Sequence, residues 1–66
     1  MEIFVNGEAR HLSAPLSVAA LLTELGVAAQ RVAVELNTEI VPRSSYDAQQ
    51  LHAGDRVEMV HAVGGG

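Results

Sequence analysis

The sequence predicts a small α+β fold, a mixed sheet packed on one helix, with the element order ββαββ. Three observations predict it. Asn6-Gly7 separates two short runs of strand-forming residues. Val18, Leu21, Leu22 and Leu25 fall at i, i+3, i+4 and i+7, one stripe of a helix. Val32, Val34 and Leu36 alternate with Arg31, Ala33 and Glu35, the period of a strand buried on one face.

Glu2 to Val5 alternate as a first strand. Asn6-Gly7 then suits a two-residue hairpin turn, since both central positions need positive φ. Glu8 to Leu12 returns as the second strand. Met1, Ile3, Val5 and Leu12 are the candidates for the buried side, which sends Phe4 to the other face. Ser13 to Leu16 is a loop containing Pro15. Ser17 is the expected N-cap of the helix, and Leu16 and Leu21 have the spacing of a hydrophobic staple. Gly26 is expected to stop the helix in the left-handed conformation.

Arg31 to Leu36 is the third strand. Asn37-Thr38 turns into a short strand, Glu39 to Val41, where Pro42 ends pairing because it has no N–H to donate. Ser44 to Leu51 is a connection with one helical turn capped by Ser44 or Ser45, and Tyr46 is expected to plug the core. Asp55 is expected to serve the turn Ala53-Gly54-Asp55. Arg56 to Val63 is the last strand, with Val57 and Met59 toward the core and Glu58, Val60 and Ala62 on the opposite face. Setting the last strand beside the first gives a β-grasp arrangement. One domain over residues 1–63 is expected, followed by a flexible glycine tail over 64–66.

Composition restricts function. A chain of 66 residues buries only about 60% of the surface it exposes when unfolded. Most of it must therefore serve folding, which favours a binding or carrier role over a built-in active site. The hydrophobic content of 48% is enough for a folded core. With no cysteine, disulfides and thiol nucleophiles are excluded. The net charge of −4, with all four cations arginine and none clustered, is not a nucleic-acid footprint. No apolar run approaches a membrane span. The expectation is a cytoplasmic protein, monomeric alone, that binds neither nucleic acid nor membrane.

The glycine end, Gly64-Gly65-Gly66, has no punctuating role inside the fold. Side-chain-free residues can thread a narrow channel and bend to fit it. They would carry a terminal carboxylate into a partner's active site, although a frayed end would have the same composition. That carboxylate is ionised at neutral pH and a poor electrophile until activated. The chain has no phosphate-binding glycine loop before a helix and no lysine. Activation must come from another protein.

Three stretches together resemble the ThiS family of sulfur carriers in thiamine thiazole biosynthesis. They are Val34-Glu35-Leu36-Asn37 running into Glu39-Ile40-Val41-Pro42-Arg43, then Gly54-Asp55-Arg56-Val57-Glu58, and then His61-Ala62-Val63-Gly64-Gly65-Gly66. The resemblance covers essentially the whole chain. It implies a ubiquitin-like β-grasp fold, no catalyst in this chain and no cofactor bound by it. Gly66 would be adenylated with ATP by an E1-like, ThiF-type adenylyltransferase. A sulfur donor such as a cysteine desulfurase would convert the adenylate to a thiocarboxylate. A ThiG-type thiazole synthase would take the sulfur, with Gly64 and Gly65 as the threading arm. The molybdopterin-synthase small subunit, another sulfur carrier or a ubiquitin-like protein modifier are the alternatives.

Phe4 and Val60 are the candidate docking surface, as neighbours on the sheet face away from the helix if the first and last strands pair. His11, His52 and His61 lack metal-ligand spacing, so no metal is expected. Ser44 and Ser45 have no partner base, and Arg43 is assigned to shaping its loop.

Overall fold

The computed structural model describes residues 1–61. Strand β1 (Glu2–Val5) and strand β2 (Glu8–His11) form the first hairpin, antiparallel with Phe4 opposite Ala9. Asn6 and Gly7 both take positive φ, 50° and 85°, as a two-residue turn of this kind requires. Helix α1 (Val18–Leu25) begins where Ser17 accepts a hydrogen bond from the Ala20 amide at 3.1 Å. It ends at Gly26, left-handed at φ 72°, whose amide donates back to the last turn. Strands β3 (Val32–Leu36), β4 (Glu39–Val41) and β5 (Arg56–His61) complete the sheet.

The sheet order is β2-β1-β5-β3-β4. β1 and β5 run parallel, and the other neighbours are antiparallel. The parallel pair is joined through all the intervening elements, among which α1 links β2 to β3 and covers one face of the sheet. Ile3, Val18, Leu21, Leu22, Val32, Val34 and Val57 are almost fully buried in the core between helix and sheet. This is the β-grasp arrangement, one helix on a five-stranded mixed sheet. β4 is a full sheet member with three residue pairs to β3, so the order reads ββαβββ rather than ββαββ.

Three local expectations are corrected. Arg31 belongs to a 3₁₀ turn, Ala29–Arg31, so β3 starts at Val32. Leu12 lies beyond the end of β2, yet stays buried with its amide donating to the Met1 carbonyl at 2.7 Å. The helical turn of the long connection starts at Arg43, and neither Ser44 nor Ser45 caps it. Pro42, extended at φ −62° and ψ 144°, already sets the entry, and its carbonyl accepts from the Ser45 amide at 2.8 Å. Met1 and Val5 are half-buried at the core's margin.

The connection is fastened at both ends. Tyr46 is buried, and its hydroxyl donates to the Val32 carbonyl at 3.3 Å. Leu51 is buried, with its amide donating to the Leu16 carbonyl at 2.9 Å. Among the described residues no buried side-chain polar atom lacks a partner, and no helix is long and apolar enough to cross a membrane.

Candidate functional site

The strand that leads to residues 62–66 is β5, the central strand of the sheet. On one side Val32, Ala33 and Val34 of β3 pair with His61, Val60 and Met59. On the other, β1 stops at Val5 and the Asn6 side chain continues the ladder. Asn6 Oδ1 accepts from the Met59 amide at 2.8 Å, and the Asn6 amide donates to the Val57 carbonyl at 2.9 Å. His61, paired with Val32, is therefore anchored in the sheet. Gly64, Gly65 and Gly66 lie outside the described residues, as do the expected strand end at Val63 and the tail boundary.

The sheet face away from α1 is open. Its positions follow from register, because residues opposite one another share a face. Phe4 sits between Ala9 on β2 and Arg56 on β5. Glu58 faces Glu35, which faces Ile40 on β4. Val60 faces Ala33. Phe4 is half-buried and shares a shallow depression of about 290 Å³ with Gly7, Arg56 and Glu58.

Phe4 and Val60 are thus on one face but are not neighbours. The first and last strands do pair, yet only Phe4 and Val5 are in register with β5, against Arg56 and Val57. Val60 lies four residues beyond Arg56, roughly 13 Å along a strand rising ~3.3 Å per residue. Its apolar company comes from the other side. Ala33 is directly opposite, and Ile40 is diagonal to it beyond Glu35. Ile40 and Val60 are the prominent exposed large hydrophobics, at 76% and 66% exposure. Beside them an open groove of about 320 Å³ runs along Ala33, Ile40, Pro42 and Tyr46.

Ile40 was not among the sequence candidates. Its signal was available: with β4 antiparallel to β3, burying Val41 turns Ile40 outward. Arg43 donates to the Gln30 carbonyl at 3.3 Å and so serves its loop. Asp55 accepts from the His52 amide at 2.7 Å and closes its turn. His11, His52 and His61 lie on β2, in that turn and at the end of β5. Among the described residues no group of three or more His, Cys, Asp or Glu could hold a metal ion.

A model of the ThiS family matches residues 3–66, the glycine end included. The chain belongs to the ThiS family. Members of this family are small ubiquitin-like sulfur carriers. A crystal structure of the thiamine biosynthesis protein ThiS from Geobacter metallireducens superposes with a TM-score of 0.87 at 40% identity, with all of both chains covered. A thiazole synthase of Paramagnetospirillum magneticum is 52% identical over all 66 residues, and one of Magnetococcus marinus is 42% identical over the same length. The chain spans 20% of the length of each of these two thiazole synthases.

Proposed function

We propose that this ThiS-family chain carries sulfur on Gly66 for construction of a thiazole ring. The match to the family through residue 66 supports this above all. In the proposed cycle an E1-like adenylyltransferase binds the open sheet face and draws in Gly64, Gly65 and Gly66. A Gly66 carboxylate oxygen attacks the α-phosphorus of ATP, and pyrophosphate leaves. The terminal sulfur of a persulfide, supplied by a cysteine desulfurase, displaces AMP from the acyl carbon. A thiol then exchanges with the resulting acyl disulfide and releases the thiocarboxylate.

A thiazole synthase is the proposed acceptor. Thiazole synthases that contain a segment similar to this whole chain support that choice. The five residues after His61 reach at most about 16–18 Å when extended, enough to enter a partner's cleft while the body stays outside. The use of ATP fits a cytoplasmic setting.

Intact mass tests the cycle. The chain is incubated with the E1-like enzyme, ATP and a persulfide donor. An oxygen-to-sulfur exchange confined to Gly66 is expected. An isopeptide adduct to another protein would identify a modifier instead. An unchanged mass, with the adenylyltransferase verified as active, would refute the carrier cycle. Supplying the charged chain to thiazole synthase and to molybdopterin synthase separates the two pathways.

A further inference from the structure

Strand β2 is an outer edge of the sheet, with β1 on one side and nothing on the other. Its residues Glu8, Ala9, Arg10 and His11 are all exposed. The register shows which of its backbone groups are free. Met1 and Leu12 exchange two hydrogen bonds: the Met1 ammonium donates to the Leu12 carbonyl at 2.8 Å, and the Leu12 amide donates to the Met1 carbonyl at 2.7 Å. Antiparallel ladders alternate bonded and non-bonded pairs. Glu8 and Arg10 therefore turn their N–H and C=O groups toward β1, and Ala9 and His11 turn theirs outward. No loop or side chain among the described residues takes up those outward groups. Glu8 and Arg10 form no ion pair among the described residues. The opposite edge is closed to such pairing, since β4 (Glu39–Val41) is short and Pro42, with no N–H, follows it at once.

We propose that β2 pairs antiparallel with β2 of a second copy of this chain, Ala9 opposite Ala9, so that two sheets join into one across a twofold axis. The amide of each Ala9 then donates to the carbonyl of the other. Charge decides both the partner and the register. With the alanines at the centre, Glu8 of each copy lies opposite Arg10 of the other, in the non-bonded positions where side chains approach closest. Moving to the next bonded register in either direction sets Arg10 against Arg10 or Glu8 against Glu8. The two charges that keep an unrelated strand off this edge thus complement a second copy. Gly7, without a side chain, faces His11 at each end of the seam. On the open face Phe4 lies opposite Ala9, so its row continues through both alanines to the second Phe4. Val60 on β5 and Ile40 on β4 lie away from the seam and stay free for other partners. The seam is small beside the interfaces of about 1,200–2,000 Å² that hold stable complexes. It therefore forms at high concentration and leaves the dilute chain monomeric. The pairing does not depend on the carrier reading above.

Sedimentation equilibrium and amide NMR follow the full chain from about 10 μM to about 1 mM at low salt, a range that spans weak association. The wild type is expected to be monomeric when dilute and substantially dimeric at the top of the range, with concentration-dependent shifts centred on the Ala9 and His11 amides. E8R and R10E each set like charges across the seam twice, and each is expected to weaken dimerisation at least about tenfold. An equimolar mixture of E8R and R10E is expected to associate as the wild type does, because each opposes the other's charges. The double variant E8R/R10E is expected to do the same alone. Raising the salt shrinks these differences. Ala9→Pro removes the outward N–H without breaking a bond to β1, and is expected to abolish the dimer while circular dichroism stays that of the folded chain. A wild type still monomeric at about 1 mM would overturn the proposal. So would single-charge variants that associate like the wild type, a mixture of the two that stays apart, a folded Ala9→Pro chain that still dimerises, or shifts centred on Ile40 and Val60.

Discussion

Asn37 and Arg56 are joined by two hydrogen bonds across the end of β3 and the start of β5. The Arg56 amide donates to Asn37 Oδ1 at 2.9 Å, and the Asn37 amide donates to the Arg56 carbonyl at 2.8 Å. Asn37 Nδ2 also donates to Asp55 Oδ1 at 3.0 Å. One side chain thus ties the β3–β4 turn to the turn that precedes β5. Asn37 also sits at φ 51°, a region asparagine tolerates better than most residues. Asn37→Ala loses both side-chain bonds and the tolerant backbone. A loss of about 1–2 kcal/mol is expected in urea unfolding. A loss below a few tenths would show that the lock contributes nothing.

Thr38 is the opposite case. It follows Asn37 at φ 73°, a β-branched residue in the left-handed region. That conformation costs an L-residue roughly 1–2 kcal/mol, while glycine there loses more chain entropy, about 0.5–1 kcal/mol. Thr38→Gly is therefore expected to stabilise the domain by about 0.5–1 kcal/mol, making the turn Asn-Gly like the one at Asn6-Gly7. A lower urea midpoint for this variant would mean that the Thr38 side chain makes a contribution larger than its strain.

These two turns show what was legible in the sequence. Ser17, the leucine stripe and Gly26 placed the helix because caps and periodicity act within a few residues. Asn6-Gly7 and the alternation of Val32 to Leu36 placed strands for the same reason. The β1–β5 pairing followed from packing, but its register did not. Phe4 meets Arg56, not Val60, because β1 ends at Val5, and Asn6 then turns its side chain onto Met59. The Asn37–Asp55 bond joins residues 18 apart and leaves no periodic trace. The open face was legible as a set of outward positions. Which of them adjoin, and hence the Glu35–Glu58 pair and the exposure of Ile40, became visible only with register.

The core leaves little margin. Leu22 is 1% exposed and packs in the core cluster that joins helix to sheet. Leu22→Ala is expected to cost about 2–5 kcal/mol through lost burial and the cavity left behind. A core of this size supplies about 3–5 kcal/mol in all. The variant should therefore be largely unfolded at room temperature by circular dichroism. A cooperative transition close to that of wild type would show that the site collapses to fill the space.

Ile40 and Val60 allow binding to be separated from stability. Both project from the open face and are mostly solvent-exposed, at 76% and 66%. Truncating an exposed side chain away from special contacts changes stability by no more than about 0.5 kcal/mol. The same residues at the centre of a docked interface would each cost more than about 1 kcal/mol of binding when truncated. The double variant Ile40→Ala/Val60→Ala is expected to keep the wild-type urea midpoint and to bind the E1-like enzyme at least about tenfold more weakly, that is by about 1.4 kcal/mol. Phe4→Ala is the internal control. Phe4 is half-buried beside Arg56, roughly 13 Å along the sheet from Val60, so an interface centred on Ile40 and Val60 should feel its loss less. A larger binding loss for Phe4→Ala than for the double variant would move the docking centre to the Phe4–Arg56 side of the face.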